Sequence, residues 1–252
     1  MENFLEKIEN YWDRRSDEYF QEKLEELNSF KRKAWTDLIN EYVPKVPERN
    51  LKVLDIGTGP GFFAIIMAVC GYEVVAIDYT DAMLQKAKKN ASIYKNSINF
   101  KRMDAHHLEF EEDTFDLIVT RNLTWNLERP DEAYREWYRV LRYKGRLLNF
   151  DANWYLHVHD AQEREKYEQD RLNSRERGFK DHYTIPNTKV MEDLARNLPL
   201  SRKHRPEWDV QELLKIGFTK IIIEMEIGKR VWDEAEMVNY SSTPMFLIGA
   251  EK

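Results

Sequence analysis

Cysteine occurs once in the 252 residues, at Cys70. That excludes an internal disulfide, a Cys-rich metal centre and a metalloid acceptor handled by several thiolates. Glycine is scarce, at nine, and the net charge is -6, from 39 Lys and Arg against 45 Asp and Glu. A negative balance repels a phosphate backbone, so nucleic acid is not the expected partner. Long apolar runs are also missing. The longest, Phe62 to Cys70, is far short of the roughly 20 residues that cross a bilayer, so no membrane span is expected. The opening MENFLEKIEN has neither the basic nor the apolar region of a secretory signal. With the lone cysteine this predicts a reduced, cytoplasmic protein, a monomer or homodimer.

What is present is material for a large core: 12 Phe, 13 Tyr and 7 Trp in a chain that is 42% hydrophobic and 33% charged. Over residues 1–43 the apolar positions Phe4, Leu5, Ile8, Tyr11 and Trp12, then Tyr19, Phe20, Leu24 and Leu27, then Ala34, Trp35, Leu38, Ile39 and Tyr42 recur at spacings of three and four. That spacing predicts amphipathic helices, ended by Pro44 and Pro47. The chain then alternates. A β-branched strand runs into KVLDIGTGPG (52–61), and a buried helix ends at Gly71. Strand EVVAID (73–78), a helix from Asp81 and strands INFKRM (98–103) and FDLIVT (115–120) follow. Next come a helix over Asp131–Leu141 and strand RLLNFD (146–151). This order implies a doubly wound, mostly parallel α/β sheet with helices on both faces.

Residues 155–208 interrupt the alternation with a charged, helical stretch. It resumes with a helix in VQELLKIG, strand TKIIIEMEI and a closing strand MFLIGA, expected to be antiparallel. We expect one domain: a helical cap (1–43), a cofactor-binding core (50–154), an insertion acting as a lid (155–208) and the end of the sheet (209–252).

Three of the nine glycines, Gly57, Gly59 and Gly61, fall in one five-residue window directly after a strand. Glycine there allows a tight turn and close approach to a ligand, and the next helix offers free N–H groups. The second strand ends in Asp78, at the separation where a carboxylate accepts hydrogen bonds from a ribose. A nicotinamide fingerprint would read G-x-G-x-x-G, but Phe62 stands at its third glycine. The spacing is G-x-G-x-G, after Asp55.

Through VLDIGTGPG, EVVAIDYTDAML, MDAHHLEF and FDLIVTRN, in that order, residues 50–151 resemble the class I S-adenosylmethionine-dependent methyltransferases. The likeness is nearest to the small-molecule branch with the quinone-biosynthesis enzymes, whose D-A-x-x-L-P-F motif is met here by Asp104, Ala105, Leu108 and Phe110, with Glu109 for the proline. The resemblance implies a seven-stranded Rossmann-like sheet and S-adenosylmethionine as cofactor. It implies that the Asp55–Gly61 turn, including Thr58, holds the methionine part and Asp78 the ribose. Tyr79 and Met83 would flank the adenine, Asp104 and the Ala105 backbone would read its edge beside His106, Arg121 would line the methionine end, and Tyr19 would cover the cofactor carboxylate. The proline-rich motif of nucleic-acid amino-methyltransferases is replaced by RNLTW, which disfavours that class.

Methyl transfer from a sulfonium needs positioning more than a nucleophile. Candidate acceptor contacts are Trp125, Asn153, Trp154, His157 and His159, past the carboxyl ends of strands four and five. Asp151 or a histidine is a candidate proton acceptor. His157-x-His159 on an extended strand would set two imidazoles on one face, but no third ligand is evident, and no metal is expected. The function expected is methyl transfer to N, O, S or C of a small molecule. A non-catalytic cofactor-binding sensor or subunit and a protein methyltransferase are the alternatives.

Overall fold

The computed structural model describes residues 4–45, 50–94, 97–183 and 188–252; Pro47 lies outside them. The expected N-terminal helices are α1 (Phe4–Leu27) and α2 (Phe30–Tyr42), separated by Asn28 and Ser29, and the Ser29 hydroxyl caps α2 by accepting from Lys31 N. The alternating region forms β1 (Lys52–Ile56), α3 (Phe62–Val69), β2 (Glu73–Asp78), α4 (Asp81–Ile93), β3 (Asn99–Arg102), β4 (Phe115–Arg121), α5 (Pro130–Val140) and β5 (Leu141–Asp151). Helices α6 (Ala161–Glu176) and α7 (Thr188–Ala195) follow. Then come α8 (Glu207–Ile216), β6 (Lys220–Glu224), the short α9 (Gly228–Val231) and α10 (Glu234–Asn239), and β7 (Phe246–Glu251).

The seven strands form one sheet in the order β3-β2-β1-β4-β5-β7-β6. The first five are parallel and β7 runs antiparallel between β5 and β6, as expected of the closing strand. Alternate residues serve two apolar layers, as the two-residue period of a strand requires. Val53, Leu117, Val119, Leu148 and Phe150 face Trp35, Leu38 and Phe63 of α2 and α3, while Leu54, Ile56, Ile118 and Leu147 belong with Tyr134, Trp137 and Leu213 of α5 and α8. Helix α5 shows the local logic. Pro130 sits in its first turn with Asp131 and Glu132, Arg139 in its last, and Ala133, Tyr134, Trp137 and Val140 are buried.

Two expected boundaries shift. β5 begins at Leu141, directly after α5, because Leu141 pairs with Phe115 before a register irregularity. The strand expected across TKIIIEMEI ends at Glu224. Glu226 takes φ +57, and the buried Ile227 donates its N–H to Met245 O, which draws the chain off the sheet and into α9.

Candidate active site

All five parallel strands point their carboxyl ends at one edge, where ligands of open α/β sheets bind. The glycine turn follows β1. A Cβ on Gly57, at φ +68, would lie 2.9 Å from Leu123, and one on Gly61, at φ +88, would lie 3.2 Å from the Ala87 Cβ. Both positions therefore need glycine. Asp55 staples the turn: its Oδ2 accepts from the Thr58 hydroxyl at 2.6 Å and from Ala64 N at 2.9 Å.

Asp78 stands at the end of β2, where its carboxylate accepts from Gly59 N at 2.8 Å and Thr80 N at 2.9 Å. Burial pushes its pKa up against those bonds. Asp104 Oδ1 takes both the backbone N–H of His106 (2.9 Å) and its Nδ1 (2.7 Å), and His106 Nε2 accepts from Arg129 N. This fixes the imidazole, and no hydrogen bond occupies Asp104 Oδ2 among the described residues. Burial raises the Asp104 carboxyl, but the His106 contacts outweigh it and hold the pKa below the usual value.

A crevice of about 120 Å³ runs across these groups. Ten of the thirteen residues expected at the cofactor line it: Tyr19, Gly57, Gly59, Asp78, Tyr79, Met83, Asp104, Ala105, His106 and Arg121. Asp55, Thr58 and Gly61 do not; they shape the turn from behind. The outer wall is α1, through Leu5, Ile8, Glu9, Trp12 and Tyr19. The crevice's volume is below the roughly 300 Å³ at which small-molecule sites usually begin.

Beside the crevice lies a chamber of about 520 Å³. The two share Trp12, Tyr19, Arg121 and Asn122. Arg121 does not stand free. Its guanidinium grips Glu26 of α1 through two nitrogens, at 2.6 and 3.1 Å, and lies 4.5–5.1 Å from the ring centres of Trp35, Phe62 and Phe63. Burial raises the pKa of Glu26, but Arg121 and Lys23 overcome that and hold it far below the usual carboxylate range. The pair locks α1 over the end of β4.

Of the acceptor candidates, Trp125 and Trp154 line the chamber. The others, expected there from the sequence, do not line it. Asp151 is fully buried and accepts from Trp125 N, Ala152 N, Trp154 Nε1 and Arg205 Nη1 at 2.5–3.1 Å. With four donors on two oxygens it holds the two tryptophan walls. Asn153 is engaged by the Arg205 backbone through both amide atoms. His157 and His159 sit at a tight turn, not on an extended strand. His157 is buried, stacked on Tyr167 at 4.0 Å and 3.3 Å from Glu192, whereas His159 is 3.3 Å from Arg202. Among the described residues no group of three or more His, Cys, Asp or Glu could hold a metal ion, and no helix is long and apolar enough to cross a membrane.

His157 has a measurable consequence. Burial depresses its pKa from 6.5 to about 4, against the pull of Glu192. The unfolded chain therefore binds this proton first as pH falls, and stability is lost from pH 6.5 down to about 4. Between pH 7.5 and 5 the loss expected from this group is about 2 kcal/mol. In the variant His157→Gln, melting temperature should fall less steeply over that range. An unchanged acid slope would assign the dependence to other groups.

Sequence reasoning missed Glu26, Glu22 and Arg15, although they share a helical face with Trp12 and Tyr19 at spacings of three and four. The polar residues in that stripe were masked by reading it as core-facing. Trp232, Tyr240 and His182 also line the chamber, and no local pattern announces them.

An open α/β sheet with a glycine turn after β1 and carboxylates after β2 and β3 defines a nucleoside-ligand-binding Rossmann-like domain. Residues 54–149 match the methyltransferase domain family, in the region where the motifs place the resemblance. Over 107 residues, 40% of each chain, it is 36% identical to the ubiquinone/menaquinone biosynthesis C-methyltransferase UbiE of Haemophilus ducreyi. Over 101 residues, also 40% of each, it is 33% identical to the uncharacterized methyltransferase YcgJ of Bacillus subtilis. The chain spans about two fifths of the length of these curated relatives. In fold it is similar to phosphoethanolamine N-methyltransferase 2 of Haemonchus contortus, solved with S-adenosyl-L-methionine. The TM-score is 0.59 at 18% identity, covering 86% of this chain and 52% of that one.

Proposed function

We propose that the protein is an S-adenosylmethionine-dependent methyltransferase acting on a small molecule held in the 520 Å³ chamber. The observation that carries this reading is the meeting of crevice and chamber at Trp12, Tyr19, Arg121 and Asn122. A cofactor held along the crevice would meet the chamber at these residues.

The residues fit the cofactor. Asp78 has the chemistry for the ribose hydroxyls and Asp104 for an exocyclic amine, since both are acceptors. Tyr79 and Met83 supply apolar walls for a flat base, and the Gly59 backbone allows close approach. When bound, the sulfonium supplies an activated methyl group. The protein's own part is to orient the acceptor and exclude water. Arg121 and Glu26 hold α1 across the junction, and Asp151 fixes Trp125 and Trp154 as walls. The residues 155–183 and α1, which border the chamber, are proposed as its cover.

S-adenosylhomocysteine should raise the melting temperature, because a ligand that binds only the folded state stabilises it by mass action; at a hundredfold excess over Kd the gain is about 2.7 kcal/mol. NADH should give no shift. Stabilisation by NADH with none from S-adenosylhomocysteine would overturn the cofactor assignment.

A further inference from the structure

Five of the seven tryptophans, Trp12, Trp35, Trp125, Trp154 and Trp232, line the chamber. Several of its rings already carry one of the protein's own cations. Arg15 lies over Tyr11 and Tyr19, Lys23 over Tyr19, Arg171 over Tyr183 and Arg121 over Trp35. One cluster differs. Tyr240 packs on Trp154 at 5.3 Å and on Trp232 at 5.2 Å, with interplanar angles of 79° and 52°, and no lysine or arginine sits over these three rings among the described residues. Neither contact stacks the rings face to face, and a ring face is negative.

Carboxylates outnumber ammonium groups around this cluster. Glu22 lines the chamber with no hydrogen-bond or ion-pair partner among the described residues, and its field reaches Tyr240. Asp233 and Glu236 share the single ammonium of Lys31, at 2.7 and 2.6 Å. Three carboxylates therefore stand against the one half-buried ammonium of Lys31. Lys180, at the rim, is 71% exposed and leans toward Glu18 at 3.9 Å.

We infer that the Trp154–Trp232–Tyr240 cluster with Glu22 is an organic-ammonium site, and that the methyl acceptor is an amine. Aromatic rings that carry none of the protein's own cations, beside an unpaired carboxylate, attract a cation that sheds its water and repel an anion. This inference uses the methyltransferase reading for the transfer step but not for the binding.

His182 stands at the same cluster. Its backbone N donates to Asn239 Oδ1 at 3.0 Å and its Nδ1 lies 2.7 Å from the Tyr240 hydroxyl. With the Nδ1 proton given to Tyr240, Nε2 is the free acceptor. Burial lowers the pKa of this imidazole, which favours its neutral form. The ammonium gives one proton to His182 Nε2, and its freed lone pair forms the N–C bond as the C–S bond breaks with its electrons on sulfur. The product leaves as the N-methylammonium ion.

The test is calorimetric titration of the protein, saturated with S-adenosylhomocysteine, with choline and with its uncharged isostere 3,3-dimethylbutan-1-ol. Choline should bind about tenfold or more tighter than the isostere. Glu22→Gln should weaken choline about five- to tenfold while the isostere and S-adenosylhomocysteine are unaffected, and Trp232→Leu should weaken choline about as much. Equal binding of choline and isostere, or choline affinity indifferent to both substitutions, would overturn the ammonium site and favour a neutral aromatic acceptor. Choline is also titrated alone. Its binding to a protein that does not take S-adenosylhomocysteine would uphold the site while removing the methyl-transfer reading.

Discussion

Arg205→Met is expected to cost about 3–5 kcal/mol, because it leaves two buried carboxylates without their cation. Arg205, Asp151 and Asp209 are all at 0% side-chain exposure. Arg205 reaches Asp209 through Nε and Nη2, both at 2.8 Å, and Asp151 through Nη1. Asp209 also accepts from the Tyr134 hydroxyl, which in turn accepts from Asn149 Nδ2. For a domain of this size the melting temperature should drop by on the order of 10 °C. Near-ultraviolet circular dichroism should change as well, because Asp151 orients Trp125 and Trp154. Adding Asp209→Leu should restore part of the loss by removing one stranded charge. A single variant that melts within a degree or two of the parent would show that the network is not stabilising.

Asp78→Ala carries the largest effect expected on ligand binding. Loss of charge-assisted bonds to a ribose should weaken S-adenosylhomocysteine by about 1.5–3 kcal/mol, roughly ten- to a hundredfold. The structure adds a second consequence, since Gly59 N and Thr80 N lose their acceptor. Isothermal titration with a parallel melting curve separates the roles. Unchanged affinity with a lowered melting temperature would make Asp78 a structural residue only.

The cofactor half of the site was legible in the sequence because its parts are local. A strand, a glycine turn and a helix start lie within ten residues in KVLDIGTGPG, and Asp78 and Asp104 each end a strand or follow one. The acceptor half was read less well. Asp151 looked like a free carboxylate at a strand end, and only the arrival of Arg205, 54 residues further on, shows that it is occupied. His157 and His159 looked paired because strand geometry was assumed, while the chain makes a tight turn there.

By itself the sequence determined the α/β alternation, the glycine turn and the carboxylates at the cofactor edge. Each rests on periods and spacings within one window, set by the geometry of a single strand or helix. The tertiary structure alone decided which aromatic and charged groups meet in the chamber. Trp12, Trp125, Trp154, Trp232 and Tyr240 come from five separate segments, and no short window encodes their meeting. It follows from the whole sheet folding, from Arg121 pulling α1 onto β4, and from Ile227 turning the chain inward after β6.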